Sequence, residues 1–251
     1  MRRREDQRMS IPSHLLSTAT TETAIERLSA HGPVLVLAPH PDDESLGCAL
    51  LLDALWRRGG QAHVAAITDG GASHPRSRLW PPARLAETRR LELDRAVTIL
   101  GGDPVRDVTW LGHPDGQSHC LHGPGADLAR DIGMLVDRLG VGTLVSVAPE
   151  DRHADHRATA RAAAQVRRDR PGLRLFHYPI WSRWSPVAGL AGPGPLALVR
   201  SSRRAVKRAA IDAHRSQNGA VVTDDPRGFC LPEGFAAFFA TAPEIYREAP
   251  R

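Results

Sequence analysis

The sequence is poor in cysteine, and its three cysteines lie far apart. Cys48, Cys120 and Cys230 form no C-x-x-C pair, and their number is odd. This pattern excludes a disulfide framework and predicts reduced thiols. Such thiols are typical of a cytoplasmic protein, which is the location we expect.

Long apolar runs are also absent. A stretch such as residues 48–52 is far too short to span a bilayer. The first eight residues contain four arginines, and no apolar segment follows that could act as the core of a signal peptide. We therefore expect a flexible basic tail over residues 1–19, a single domain over residues 20–251, and no stable membrane insertion.

Lysine is almost missing, since Lys207 is the only one among 33 basic residues. The formal net charge of +5 and the pI of about 9.8 raise the question of a nucleic-acid partner. The arginines, however, are scattered over nearly every segment and accompany no nucleic-acid-binding motif. We expect no nucleic-acid partner, and the sequence leaves a homo-oligomer open.

Strand-like and helix-like segments alternate through most of the chain. Apolar runs bounded by proline, glycine or polar residues predict buried strands at 34–38, 62–68, 107–112, 143–149 and 173–180. Amphipathic segments predict helices at 20–31, 45–60, 83–102, 125–140 and 154–169. This alternation predicts an α/β fold, a Rossmann-like three-layer α/β/α sandwich with a mostly parallel sheet. After Pro179 we expect a loop, a helix over 202–217 and a weakly patterned end.

Two polar clusters follow predicted strands. His40-Pro41-Asp42-Asp43-Glu44 comes after the first strand, and Glu150, Asp151, His153, Asp155 and His156 come after the fourth. In an open α/β sheet the carboxyl ends of parallel strands share one edge, so the clusters should converge. A helix start explains Pro41 and the acidic residues behind it. It explains neither the histidine at position 40 nor the second cluster.

A metal site explains both clusters. His40 and Asp43 stand three residues apart at a helix start, and His156 can join them from the other loop. Two imidazoles and one carboxylate around Zn²⁺ leave a position for water, as in catalytic zinc sites. We predict one catalytic divalent ion, zinc, with other divalent ions as alternatives.

The neighbouring residues suit hydrolysis at such an ion. Asp42, beside a ligand but not one itself, can accept the proton of the attacking water as a general base. His153, as an imidazolium, can stabilise the oxyanion of a tetrahedral intermediate. Asp155 is predicted to orient His153 through a hydrogen bond. In the loop after the third strand, Asp115 either binds a sugar hydroxyl or is an ordinary turn residue.

These motifs also resemble those of a known family. The segment VLVLAPHPDDESLGCALLL and the later HADH resemble the PIG-L/LmbE-type zinc de-N-acetylases, over about residues 34–217. That family includes deacetylases of mycothiol, bacillithiol and GlcNAc-phosphatidylinositol synthesis and of some glycopeptide antibiotics. The second motif usually reads H-P-D-H, so Ala154 here replaces a proline. The resemblance implies an LmbE-like fold and an N-acetylated sugar or glycoconjugate as the small-molecule substrate.

The resemblance also implies roles for single residues. It matches His40, Asp43 and His156 to the metal ligands, Asp42 to the base and His153 to the oxyanion residue. Two further segments match motifs of the family: ETRRLEL contains its R-x-x-E helix, and KRAAIDAHRSQ its K-x-x-A…H-x-S-Q segment. These matches imply that Arg89 binds substrate and that His214 lines the pocket.

Other functional classes lack their signatures. The sequence has no G-x-S-x-G, no P-loop and no G-x-G-x-x-G, which disfavours a serine hydrolase and a nucleotide-binding protein. A metallo-β-lactamase-type site would need H-x-H-x-D-H, and Asp151 stands where its first histidine belongs. Two alternatives stay open, a zinc- or carbohydrate-binding relative without turnover and a metal-dependent amidase with a non-sugar substrate. We expect an N-deacetylase that releases acetate and a free amine.

Overall fold

The computed structural model describes residues 21–118, 127–184 and 196–250. Its strands are β1 (Val34–Ala38), β2 (Ala62–Thr68), β3 (Val108–His113), β4 (Thr143–Val147), β5 (Arg174–Tyr178), β6 (Leu196–Val199) and β7 (Glu244–Glu248). Its helices are α1 (Thr21–Ser29), α2 (Asp43–Gly47), α3 (Ala49–Arg57), α4 (Pro82–Ile99), α5 (Pro104–Asp107), α6 (Leu128–Leu139), α7 (Ala154–Arg168), α8 (Trp181–Trp184), α9 (Arg204–Ala213) and α10 (Phe235–Thr241).

The central strand shows why the chain forms three layers. All five residues of β1 are buried, and successive side chains of a strand point to opposite faces of the sheet. Val34, Val36 and Ala38 join one apolar core, whereas Leu35 and Leu37 join a second core with residues of α6 and α7. Helices therefore cover both faces, and the predicted α/β fold is confirmed.

All seven strands belong to one sheet, in the order β3-β2-β1-β4-β5-β7-β6. The pairs among the first five are parallel, and β7 runs antiparallel to both β5 and β6. The strand order reverses its direction between β1 and β4. In doubly wound sheets the crevice at this reversal point is where ligands bind.

The two main departures from the predicted elements concern the second predicted helix and the end of the chain. The single helix expected over 45–60 is divided at Cys48 into α2 and α3, and the end of the chain contributes β6, α10 and β7. The turn at Gly47 lies tight against the ring of Tyr178, where a β-carbon would come within 2.2 Å of a ring carbon. This close approach favours glycine at the end of the first short helix.

The break in the helix creates a buried polar contact with the end of the chain. The free backbone N–H groups of Leu50 and Leu51, in the first turn of α3, donate to the carboxylate of Glu244 in β7 at 2.7 and 3.0 Å. Lys207 donates its Nζ to the same carboxylate at 2.8 Å, and both side chains are almost fully buried. The only lysine of the chain thus neutralises a carboxylate that caps a helix.

We expect Lys207→Ala to lower the free energy of unfolding by about 3–5 kcal/mol, because it leaves the buried charge of Glu244 without its paired cation. Denaturant unfolding measures the change. Arg208→Ala on the same helix is the matched control, since Arg208 forms an exposed pair with Asp212. That control should change stability by about 1 kcal/mol or less. Equal effects of the two substitutions would contradict a stabilising role for the buried pair.

The predicted basic tail, residues 1–19, lies outside the described residues, and the division of the chain into tail and single domain stays a prediction. None of the helices in the described ranges is long and apolar enough to cross a membrane.

Candidate metal centre

The two polar clusters meet at the reversal point of the sheet. His40 and Asp43 follow β1, and Asp151 and His156 lie beyond the end of β4. Because β1 and β4 are parallel neighbours, their carboxyl ends lie side by side. Residues of both clusters line one pocket of about 270 Å³ together with residues of six other segments.

The three predicted metal ligands are in mutual contact through Asp43. Its Oδ2 lies 3.4 Å from Nδ1 of His40 and 3.3 Å from Nε2 of His156. Burial favours the protonated acid, but the two imidazoles outweigh it and hold the pKa of Asp43 well below its usual value. The carboxylate is therefore ionised and available as a ligand at neutral pH.

His156 has the environment of a metal-binding histidine. Its side chain is fully buried, and its Nδ1 lies 2.9 Å from Oδ2 of Asp151. Its Nε2, by contrast, has no hydrogen-bond partner within the described part of the chain. A buried nitrogen without a hydrogen bond, on a ring whose other nitrogen faces a carboxylate, suits metal coordination. The residues present therefore fit a divalent ion.

Two groups among the described residues have ligand atoms that all lie within 4.8 Å of one another. One is His40, His153 and His156, and the other is His40, Asp115 and Asp155. His40 belongs to both groups; its Nδ1 lies 3.4 Å from Asp43, and its Nε2 lies 3.2 Å from Asp115 and from Asp155. The position of an ion therefore depends on which nitrogen of His40 coordinates it.

Asp155 contacts a different histidine from the one predicted. Its Oδ2 is 3.2 Å from Nε2 of His40 but 3.8 Å from Nδ1 of His153, too far for a hydrogen bond. The carboxylate also accepts the backbone N–H groups of Gly116 and Ser118. Burial alone would raise the pKa of Asp155. The interactions with His40 and with these two donors outweigh burial and hold the pKa well below its usual value. The predicted bond to His153 is corrected: Asp155 is placed to orient His40.

His153 stands where α7 begins and lines the pocket with a side chain that is 42% exposed. Its Nδ1 accepts the backbone N–H of Asp155, so it caps the helix and its ring proton is on Nε2. Burial, together with His40 and His156, lowers the pKa of His153 to about 4. The ring is therefore neutral at pH 7, which differs from the imidazolium predicted. Ala154 occupies the first position of α7, a position that a proline also tolerates.

Asp42 has a strained backbone, with φ at 147° and ψ at −26°. For a residue other than glycine, such a conformation costs on the order of 1–3 kcal/mol and is typical of functional sites. Its N–H donates to Oε2 of Glu44 at 3.0 Å. Burial raises the pKa of Asp42 to about 6, although the charge of Arg89 opposes the shift. The carboxylate is a stronger base than an ordinary aspartate and is still mostly ionised at pH 7.

Arg89 lies beneath Asp42 and is itself buried. Its Nη2 donates to the carbonyl of Pro41 at 2.7 Å and lies 3.4 Å from Oδ2 of Asp42. Its Nη1 donates to the carbonyl of Gly70 at 3.1 Å. Gly70 has φ at +64°, and a β-carbon there would meet the guanidinium at 2.7 Å. Arg89 therefore lines the pocket, and it also fixes the backbone that carries Asp42.

The other two predicted substrate-binding residues differ in position. Asp115 lines the pocket, where its Oδ1 faces His40 and its Oδ2 accepts the N–H of Ala72. His214 is fully buried and is absent from the lining; its Nε2 lies 2.9 Å from Glu44. The prediction that His214 lines the pocket is therefore corrected, because its ring is held behind the motif rather than inside the cavity.

Several residues of the site carry no signal in the sequence. Asp151 belongs to the second cluster, but nothing in its spacing shows that it faces His156 and accepts from the backbone of Ile180 and Ser182. Further lining residues come from loops and from a short 3₁₀ helix (Arg215–Gln217): Ser73, Gln217, Phe229 and Leu231. Only Gln217 stands in a recognisable motif, the H-x-S-Q segment.

Comparisons with known proteins identify the family of the chain. Residues 35–167, more than half of the chain, match the family profile described as PIG-L: GlcNAc-PI de-N-acetylase. The structure is similar to that of N,N'-diacetylchitobiose deacetylase from Pyrococcus horikoshii, with a TM-score of 0.66 and 18% identity. The similarity covers 98% of this chain and 95% of that one.

Two curated bacterial proteins are also similar in sequence. The 1D-myo-inositol 2-acetamido-2-deoxy-alpha-D-glucopyranoside deacetylase of Kineococcus radiotolerans is 28% identical over 210 residues, 79% of this chain and 51% of the relative. The probable N-acetyl-alpha-D-glucosaminyl L-malate deacetylase 2 of Bacillus anthracis is 32% identical over 138 residues, 53% of this chain and 58% of the relative. The match thus spans only about half the length of each of these relatives. By the extent of the profile match and the motifs that it contains, the chain belongs to the PIG-L family.

Proposed function

We propose that the chain is a zinc-dependent N-deacetylase acting on an N-acetylglucosamine-type sugar or glycoconjugate. It would hydrolyse the acetamido group and release acetate and a free amine. The observation that carries the proposal is the buried, strained Asp42 beside Asp43, whose carboxylate contacts two imidazoles. The names of both curated relatives describe deacetylases of glucosamine conjugates.

We assign the metal to His40, Asp43 and His156. When bound, a zinc ion would polarise a carbonyl oxygen and would lower the pKa of a water molecule to about neutral pH. Each imidazole has a carboxylate on its far side, Asp155 for His40 and Asp151 for His156. Such partners fix the tautomer and the ring orientation of a ligand, and they raise its basicity. Asp43 completes the set as an ionised oxygen ligand.

Asp42 is the proposed general base. Its carboxylate takes a proton from the attacking water while the oxygen of that water forms a bond to the amide carbon. It then returns the proton to the nitrogen as the C–N bond breaks, so that acetic acid, which ionises to acetate in water, and the neutral amine leave. A pKa of about 6 suits both steps, because the group is deprotonated at pH 7 and is still a competent acid once protonated.

His153 is the proposed stabiliser of the oxyanion. Because its Nδ1 accepts the N–H of Asp155, the proton on Nε2 is the one available to the substrate. A neutral imidazole can donate this N–H to the developing negative charge, and donors of this kind contribute several kcal/mol in water-poor sites. On the polar side of the pocket, Asp115 and Arg89 are the proposed contacts for sugar hydroxyls. The scattered cysteines support a cytoplasmic location.

Acetate release tests the proposal. The protein, stripped of metal and reloaded with zinc, is incubated with N-acetylglucosamine, methyl N-acetylglucosaminide and a non-sugar N-acetyl amine. We expect acetate from the sugars, loss of release after chelation, and recovery on adding zinc back at one equivalent. Release only from the non-sugar amine would favour the amidase alternative. Zinc binding without any release would favour a relative that binds but does not turn over.

A further inference from the structure

The pocket lining divides into polar residues around the candidate metal centre and an apolar group. The apolar group consists of Leu46, Ile180, Trp181, Phe229 and Leu231. Hydrolysis of an acetamide uses none of these five side chains directly. Their presence beside the site therefore calls for a role in binding the rest of the substrate.

The exposed fractions of the lining side chains show how deep in the pocket each one lies. Asp43 and His156 are buried, Trp181 is half-buried, and Phe229 is 38% exposed. The proposed ligands Asp43 and His156 therefore lie at the floor, and Phe229 lies at the rim, where His153 is also exposed. The pocket volume of about 270 Å³ lies below the range of roughly 300–1,000 Å³ typical for drug-sized ligands. A glycoconjugate cannot be enclosed whole, so the group attached to the N-acetylated sugar meets the rim.

The aromatic rim is held in place before any ligand binds. The ring of Trp181 lies 4.9 Å from that of the fully buried Phe235 and 6.0 Å from that of Phe229, centroid to centroid. The backbone N–H of Phe229 donates to the carbonyl of Ser73 at 2.7 Å. A fixed pair of aromatic side chains can bind an apolar face with little loss of conformational entropy.

The charges in the lining disfavour an anionic group at this position. Arg89 is the only arginine or lysine that lines the pocket in the described part of the chain, and its guanidinium already binds two carbonyls beside Asp42. Three carboxylates, those of Asp42, Asp43 and Asp115, line the same space. At the rim, away from the residues assigned to the metal, a carboxylate on the substrate would lose water without gaining a cation as partner.

We infer, resting on the proposed deacetylase function, that the pocket selects substrates whose aglycone is uncharged and presents an apolar face to Trp181 and Phe229. Aromatic rings offer large, rigid apolar surfaces for such contacts. Two kinds of aglycone have such an apolar face: a second sugar, through its C–H groups, and an aryl group. In either case Trp181 and Phe229 determine specificity, whereas the metal centre performs the reaction.

The ratio of kcat/KM values across four N-acetylglucosaminides tests this inference. They carry a methyl, a phenyl, a second N-acetylglucosamine or an L-malyl group, and acetate release is measured for each. We expect the phenyl compound, the disaccharide or both to exceed the methyl compound by about tenfold, and the malyl compound to fall below it. The compound with the higher kcat/KM, phenyl glycoside or disaccharide, shows which kind of aglycone the rim binds.

The outcomes separate the two proposals. Release from the methyl glycoside with the malyl compound equal or better would overturn the inference alone. So would equal values for the methyl, phenyl and disaccharide compounds. No release from any of the four would overturn the proposed function and, with it, the inference.

Variants at the rim provide the second test. Phe229→Ala should reduce the ratio of phenyl (or disaccharide) to methyl kcat/KM by about tenfold, and Phe229→Arg should raise the relative value of the malyl compound. Leu91→Ala is the control, since Leu91 is 60% exposed on α4 and does not line the pocket. Circular dichroism checks folding, which the exposure of Phe229 should preserve. A folded Phe229→Ala protein with an unchanged ratio would overturn the inference.

Discussion

Replacing Asp42 with asparagine is expected to lower kcat by about 10²–10⁴-fold while the protein still binds its metal. The amide keeps the shape of the side chain but cannot accept the proton of the attacking water. Asparagine also tolerates positive φ better than most residues, so the strained backbone at φ 147° should persist. Steady-state kinetics and the metal content of the same preparation measure the two quantities together.

The same substitution at a buried aspartate outside the pocket is the control for this variant. Asp53 is buried on α3 and contacts only Arg57 and Arg203 through its carboxylate among the described residues. Asp53→Asn should leave kcat within about twofold, as expected for a residue that touches neither substrate nor metal. If Asp42→Asn kept wild-type turnover at full metal content, Asp42 would not be the base. An equal loss of turnover and metal would make it a structural part of the metal site.

The position of Asp42 depends on contacts between motifs that are distant in sequence. Arg89 of the R-x-x-E motif donates to the carbonyl of Pro41, next to Asp42. Glu92 of the same motif accepts the N–H and the hydroxyl of Ser216 in the H-x-S-Q segment. One helix, α4, therefore holds both the first motif and the last.

The last motif closes this set of contacts. Nε2 of His214 lies 2.9 Å from Oε1 of Glu44, and Oε2 of the same carboxylate accepts the N–H of Asp42. His214 thus supports the segment that carries Asp42, although it does not line the pocket. The R-x-x-E helix and the H-x-S-Q segment lie far from β1 in the sequence. These contacts give both motifs a physical role, because both hold in place the polar segment that follows β1.

The sequence predicts the central part of the fold well because burial leaves a clear pattern there. The strand predicted at 34–38 is β1, and the strand predicted at 62–68 is β2. These strands are covered on both faces, so their residues form apolar runs that no amphipathic helix would show. The convergence of His40 and His156 follows from the same pattern, because parallel neighbours end at one edge of the sheet.

The last strand, β7, is hard to predict from the sequence because three of its five residues are charged and form ion pairs with distant residues. In β7, Glu244 pairs with Lys207, Arg247 with Glu150, and Glu248 with Arg174. Their partners lie far away in the sequence, so within EIYRE only Ile245 and Tyr246 indicate a buried strand. Tertiary ion pairs therefore act together with the burial of these two side chains in holding the strand in the sheet.

The orientation of side chains around the candidate metal centre could not be predicted from the sequence either. Spacing shows that Asp151 and Asp155 are near the histidines, but not which ring nitrogen each one faces. Asp155 is two residues from His153 in the chain, yet the start of α7 directs its carboxylate towards His40. The prediction therefore chose the wrong partner for Asp155, because it relied on nearness in sequence, whereas the geometry of the helix start determines the partner.

A graded loss of metal affinity is expected along the series wild type, Asp151→Asn, His156→Ala. Asp151 holds Nδ1 of His156, and loss of such an outer partner typically weakens metal binding by about 10–100-fold. His156→Ala removes the proposed ligand itself, so its loss should be larger still. Competition with a chromophoric chelator gives the zinc dissociation constant of each protein without any assay of activity.

The series also decides between the two candidate ligand groups. If His156→Ala kept zinc within about threefold of the wild-type affinity while Asp115→Asn lost it, the ion would belong to His40, Asp115 and Asp155. His63→Ala is the control for removal of a buried imidazole, since His63 contacts Thr109 on β3 and does not line the pocket. It should leave the zinc affinity unchanged. Because His40 belongs to both groups, only residues that belong to one of them can distinguish the two positions of the ion.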